Sequence, residues 1–179
     1  SRLSGGAAWV PNNSVGRAAG HDDSREKALA YVRQLTLGQA DDTLVQAFVD
    51  RGPEMIDFVG AHAPLEWRVS PILGDYQTEW EGALFRGRSV EPNIQGGGLT
   101  LGLQLTDALH EGCVQVGVEV MLRTRATRLL TRELPEGGRE VIGVQAEQAG
   151  GTLRVRANQG VVLAAGGFDW DEELKAHFL

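Results

Sequence analysis

The 179 residues suffice for one domain or parts of two, and 42% apolar with 23% charged side chains fits a folded chain rather than a disordered one. A net charge of −7, spread along the chain, leaves no basic stripe for nucleic acid and no polybasic signal for an anionic membrane. The single cysteine, Cys113, excludes an intrachain disulfide and a cysteine-based metal framework; no apolar run approaches the roughly 20 residues of a membrane span and no signal peptide is visible, so a cytoplasmic setting is expected.

The stretch Ser4-Gly5-Gly6-Ala7-Ala8-Trp9-Val10-Pro11-Asn12-Asn13 is turn-rich, and its glycines let main chain approach a neighbour closely or adopt positive φ. Asp23, with Glu26 three residues later, reads as a capping box. Ala28, Leu29, Val32 and Leu35 give that helix its apolar face, and Gly38 stops it. Asp41 or Asp42 caps the next helix, with Leu44, Ala47 and Phe48 inward. Pro53 then starts a further turn with Met55, Ile56 and Val59 buried, so the pair is a helical hairpin or one helix broken near Gly52-Pro53. Residues 63–98 mix prolines, glycines and the aromatics Trp67, Tyr76, Trp80 and Phe85 without a period. A stretch of that length is a functional loop or a domain crossover, closed here by Gly96-Gly97-Gly98. From Leu99 to about Val116 the spacing predicts a helix with Leu105, Ala108, Leu109 and Cys113 or Val116 inward and Gly117 as its stop. Cys113 then reads as a buried, inert thiol.

Short strands follow at 118–122, 126–132, 140–148 and 152–157. Their alternation is that of half-exposed antiparallel strands, joined as hairpins at Glu136-Gly137-Gly138 and Gly150-Gly151. Gly160-Val161-Val162-Leu163-Ala164-Ala165 is a continuous apolar run, the pattern of a strand buried on both faces. It ends in Gly166-Gly167-Phe168, before a last helix capped by Asp169 or Asp171. Small residues at such a strand end let a cofactor reach the main chain, whose free N–H groups meet phosphate oxygens; a tight strand-to-helix turn asks for the same glycines. The fold class is mixed α/β, divided as 1–62, 63–98 and 99–179. His21, His62, His110 and His177 show no metal-ligand grouping, and no metal site is expected.

The order helix, strand through Thr124-Arg125-Ala126-Thr127-Arg128-Leu129, antiparallel insertion, then Val161-Val162-Leu163-Ala164-Ala165-Gly166-Gly167-Phe168 resembles the FAD-binding flavoproteins of the fumarate reductase and 3-ketosteroid dehydrogenase family. Ser4-Gly5-Gly6-Ala7-Ala8-Trp9-Val10-Pro11-Asn12 is similar to their segment that runs past the flavin ring. Asp22-Asp23-Ser24-Arg25 with Ala28 and Tyr31, Asp75-Tyr76, and Gly87-Arg88-Ser89-Val90-Glu91-Pro92 resemble elements of the steroid-oxidising members.

The resemblance implies FAD as cofactor and the middle part of an FAD-binding domain with an antiparallel β insertion, plus the helical start of a cap or substrate domain. It implies FAD contacts at Ser4, Gly5 and Gly6, at Ala126 and Thr127 on the adenine side, and at Ala164, Ala165, Gly166 and Gly167. It also implies dehydrogenation of the A ring of a 3-ketosteroid: a base removes a proton next to the ketone and a hydride passes to flavin. A tyrosine serves as that base when its neighbours favour phenolate, which otherwise forms only near pH ~10. Tyr76 stands where the family places an active-site tyrosine; its other reading is an amphipathic interface residue. Arg88 orients a loop through Glu91 or another carboxylate, or is a solvated surface arginine. Trp9, Trp67 and Trp80 line an apolar pocket for a flat substrate or pack in the core. The family's opening strand and Gly-x-Gly-x-x-Gly turn do not occur, and the chain begins with Ser1 rather than Met. The expectation is therefore a piece incomplete at both ends that does not turn over alone. A fumarate reductase-like action on a dicarboxylate, and a non-catalytic module on the same sheet, are the other readings.

Overall fold

Ser24, not Asp23, caps the first long helix, its hydroxyl accepting from the Lys27 N–H at 3.2 Å. Asp23 is withdrawn from capping because its carboxylate is taken by an arginine described below. Glu26 still helps the helix start, held below the usual carboxylate range by its own backbone N–H and the Ser24 hydroxyl. The computed structural model describes residues 4–93 and 99–178. The Gly96-Gly97-Gly98 run lies outside the described residues. The chain divides into two compact units between Glu119 and Val120.

The first unit contains β1 (Ala8–Trp9), α1 (Ser14–Ala18), α2 (Arg25–Leu35), α3 (Asp42–His62), β2 (Trp67–Val69), β3 (Ser89–Pro92) and α4 (Leu99–Gln115). The strands form an antiparallel sheet in the order β1-β3-β2, with Ala8 opposite Val90 and Val69 opposite Val90 on the other side. Two apolar clusters flank β1. Ala28, Leu29 and Val32 of α2 meet Val45 and Val49 of α3, with Trp9 against them. Val10, Ile56 and Val90 form the second cluster, with Ala8, Val15 and Trp67 against it.

α3 runs unbroken through Pro53. The missing N–H and the ring's clash one turn back normally break a helix. Here Val45 and Val49 seat the first half in one cluster and Ile56 seats the second half in the other, so packing keeps the halves collinear. The inner face is one residue off the expected one: Leu44 is 68% exposed and Phe48 44%, while Val45 and Val49 are buried. Met55 also faces outward and Val59 is half-buried.

A charged clamp joins α2 to α3. The Arg33 guanidinium forks onto Asp42 at 2.7 and 3.0 Å, and the Gln46 amide donates to the same carboxylate at 2.7 Å. These bonds lower the Asp42 pKa to about 2. A carboxylate depressed in the folded state binds more protons when unfolded, so its stabilisation is present above pH ~4 and drains as pH falls toward about 2. The pair is exposed, so its contribution is small and screened by salt. In Asp42→Asn the acid-side decline in unfolding midpoint should be shallower than in the parent over that window, and the difference should shrink at high salt.

α4 ends in a Schellman turn: the Gly117 N–H donates to Val114 O at 3.0 Å and the Val118 N–H to Cys113 O at 2.9 Å, with Gly117 at φ +83°. Leu101 is buried, whereas Leu109 is 39% exposed and Cys113 is exposed rather than buried. No described helix is long and apolar enough to cross a membrane.

The second unit is a meander of β4 (Arg125–Glu133), β5 (Arg139–Gln148) and β6 (Gly151–Arg156), followed by α5 (Glu172–Phe178). Gly137 and Gly138, both at φ +90°, turn the first hairpin, and Gly151 at φ +115° closes the second opposite Gln148. Leu129, Val144 and Val155 line up across the three strands, as do Ala126, Ala146 and Leu153, which gives the sheet one apolar face. Asp171 caps α5 by accepting from the Leu174 N–H at 2.9 Å. Residues 118–122 form no strand.

The apolar run at 160–165 is also not a strand, and Val162 and Leu163 are 91% and 72% exposed. A strand buried on both faces needs a hydrogen-bonded neighbour and side chains above and below it. None of the described strands pairs with this run.

Candidate functional site

Three segments far apart in sequence meet at one buried arginine. Arg88 precedes β3, is 1% exposed, and spends four N–H bonds on its surroundings. Nε and Nη2 fork onto Asp23 at 3.0 and 2.8 Å, Nη1 reaches Asp75 at 2.8 Å, and Nη2 also donates to Gly82 O at 2.8 Å. Both carboxylates are buried with it, so each charge is met at close range. Cζ also lies 5.2 Å from the centre of the Tyr31 ring and 6.0 Å from that of Trp9. Of the two readings of Arg88, the structure shows the one in which it orients a loop through carboxylates, here Asp23 and Asp75, as the centre of a hub, and not the solvated one. Glu91 is not its partner; that carboxylate pairs across the sheet with Arg68 at 2.8 Å.

The hub fixes the turn-rich N-terminal segment residue by residue. The Trp9 indole N–H donates to Asp75 at 2.8 Å and the Asn12 N–H to Asp23 at 2.7 Å. Asn13, fully buried, caps α1 by accepting from the Gly16 N–H at 2.7 Å and donates to Val10 O and Gly87 O. The same hub pins the 70–88 loop: the Leu84 N–H donates to Asp75 at 2.8 Å, and the Gln77 N–H donates to the buried Tyr31 hydroxyl at 3.1 Å.

Between the two pinned segments lies a cavity of about 380 Å³, lined by Trp9, Tyr31, Leu35, Leu73 and Tyr76 with Ala7, Gly74 and Ser89. That volume is in the roughly 300–1,000 Å³ range of small-molecule sites. None of its lining side chains carries a charge. Tyr76 borders it with its side chain 91% exposed. Of the three tryptophans considered for a pocket, only Trp9 lines this cavity. Trp67 packs against the second cluster, and Trp80 lies against Tyr31 with ring centres 6.2 Å apart.

Ser4, Gly5 and Gly6 run up to this cavity just ahead of Ala7 and cross the start of α4. A Cβ on Gly6, which has φ +69°, would come within 2.4 Å of the Leu101 carbonyl carbon, and one on Gly102 within 2.0 Å of Ser4 O. Glycine is required at both positions for this crossing. Gly6→Ala should lower stability by about 2 kcal/mol or more in a denaturant titration. Gly5 is exposed, and a Cβ there would touch nothing within 4 Å among the described residues.

The remaining cofactor candidates lie in the second unit. Ala126 pairs with Ala146, and the register slips between Ala126 and Arg128, making Thr127 a bulge whose hydroxyl donates to Gln145 O at 3.2 Å. β4 is an edge strand, so the main chain around Ala126 and Thr127 is bare on its outer side. Ala164, Ala165, Gly166 and Gly167 are exposed irregular chain, with Gly166 at φ +82°.

In the first unit, the small residues Ser4, Gly5 and Gly6 lead straight into the segment that lines the aromatic cavity. Residues 1–178 match the family model described as FAD binding domain, and the chain belongs to that family, with FAD as its cofactor. The described residues fit such a group: Gly5 is open, and the Ala126–Thr127 edge has free main-chain groups. The 3-oxosteroid 1-dehydrogenase of Mycobacterium tuberculosis (strain H37Rv) is 26% identical over 235 residues, covering 98% of this chain and 42% of the relative. Among solved structures, the 3-ketosteroid delta1-dehydrogenase of Sterolibacterium denitrificans in complex with 1,4-androstadiene-3,17-dione superposes with a TM-score of 0.86 at 22% identity, over 98% of this chain and 42% of that one. A flavocytochrome c3 fumarate reductase in its open conformation gives 0.73 at 20% identity, over 98% and 28%. The chain thus spans about 42% of the length of the 3-oxosteroid dehydrogenase it matches.

Proposed function

We propose that this chain is the ring-facing part of an FAD-dependent oxidoreductase that dehydrogenates the A ring of a 3-ketosteroid. The observation that carries the reading is the uncharged aromatic cavity shared by Trp9 and Tyr76. A flat ring ketone is held by apolar and aromatic walls with few polar contacts. In this reading Trp9 and Leu73 flank the ring, and Tyr76, as phenolate, takes the proton from the carbon next to the ketone and becomes a neutral phenol. FAD, when bound, supplies the hydride acceptor. Ser4, Gly5, Gly6, Ala126, Thr127, Ala164, Ala165, Gly166 and Gly167 hold it through main-chain groups.

A dicarboxylate substrate would call for cationic groups converging on its carboxylates. No charged side chain lines the cavity, and Arg88, next in sequence to its lining residue Ser89, is already committed to Asp23 and Asp75. The full-length protein, assayed with an artificial electron acceptor, should therefore oxidise a 3-ketosteroid and leave succinate untouched. Oxidation of succinate, or of neither compound, would overturn the reading.

A further inference from the structure

We propose that Arg88 is a positioning residue that sets the width of the aromatic cavity by tying its two walls to a common point; this rests on the substrate reading above. One wall is the segment at Trp9 and the other the loop bearing Tyr76. Neither wall has a regular element across the cavity to hold it: β1 is two residues long and residues 70–88 form no helix or strand. Backbone pairing with β3 anchors Trp9 opposite Ser89 and the loop's ends at Ser70 and Arg88, and between those ends the loop is tied to the Trp9 segment by side chains. Asp75 joins them directly, accepting from the Trp9 indole with Oδ1 and from the Leu84 N–H with Oδ2. Asp23 holds the Asn12 N–H on the Trp9 side. Arg88 is the link between these two carboxylates, and its bond to Gly82 O fastens the loop's far end.

The geometry requires a guanidinium. A planar fork meets both oxygens of Asp23 while a third nitrogen reaches Asp75 and the flat face lies toward two rings. A lysine ammonium keeps the charge but is a point donor on a flexible stem, and it cannot span both carboxylates and Gly82 O together. Releasing one carboxylate frees one wall, and a cavity that is no longer pre-set to its ligand must be ordered on binding, which lowers affinity.

The test compares Arg88→Lys with Arg68→Gln in the full-length protein loaded with FAD. Arg68→Gln strands the buried Glu91 in the same sheet without touching either wall, so it controls for a general loss of stability. Hydrogen exchange is read first, because it needs no substrate. In Arg88→Lys the amides of Asp75, Gln77 and Leu84 should lose protection by at least about tenfold while those of α2 keep theirs; in Arg68→Gln all keep theirs. Steroid affinity, from perturbation of the flavin absorption, and KM should then rise together by about tenfold in Arg88→Lys, with kcat much less changed, and neither should move in Arg68→Gln. Unchanged protection in Arg88→Lys overturns the proposal. So does lost protection with unchanged steroid affinity, and so does an equal effect of Arg68→Gln. A parent protein that binds no steroid sinks the substrate reading instead, and exchange alone then decides the positioning role.

Discussion

Tyr76→Phe, made in the full-length FAD-loaded protein, is expected to lower kcat for 3-ketosteroid oxidation by about 10²–10⁴-fold, the usual share of a general base. The substitution removes one oxygen and keeps the ring that borders the cavity, so KM should change far less. Folding is not at risk. The Tyr76 side chain is 91% exposed, and a substitution at such a surface position shifts stability by no more than about 0.5 kcal/mol. Activity and stability should therefore separate at this position. A Phe variant that retains more than about a tenth of the parent kcat would remove Tyr76 from the role of base.

Arg88→Met should show the opposite balance, with stability lost first. Methionine fills much of the volume but leaves Asp23 and Asp75 buried without a cation, and it withdraws the donor from Gly82 O. Removing one partner from a buried ion pair costs about 3–5 kcal/mol, and this change orphans two carboxylates at once. A fall at the upper end of that range in denaturant-measured stability is the expected result. Partial recovery in Arg88→Met combined with Asp75→Asn would assign the loss to stranded charge rather than to lost packing. A fall below about 1 kcal/mol would mean that the carboxylates find water or other donors, contrary to their burial.

These residues also show what could be read from the amino-acid order. The β5–β6 hairpin was legible because its information is local: alternation on each strand and glycines at the turn, where Gly151 has φ +115°. The caps of α3 and α5 were legible to within a pair, Asp41 or Asp42 and Asp169 or Asp171, of which Asp41 and Asp171 cap, while Ser24 displaced Asp23 because a distant arginine competes for that carboxylate. The sheet β1-β3-β2 was not legible. Its strands are two to four residues long, too short for a period, and β1 pairs with β3 across some 80 residues. The inner face of α3 was misplaced by one residue because Leu44 with Phe48 and Val45 with Val49 share the same spacing; only contact with α2 decides between them.

The site was half legible. Asp23, Asp75 and Arg88 each stood inside a family-like motif, yet their convergence joins positions 65 and 13 residues apart, and no local pattern encodes that. The apolar run at 160–165 misled in the other direction: hydrophobicity reports a demand for burial, not the presence of a partner. The assignment to FAD consequently rests on the match along residues 1–178 and not on that strand.

The central claim is met most directly by mixing the full-length, oxidised, FAD-loaded protein with one equivalent of a 3-ketosteroid in the absence of oxygen. Rapid bleaching of the visible flavin band by the steroid, and none by succinate, is the predicted result. A flavin that stays oxidised with the steroid, or one that succinate reduces, would contradict the account.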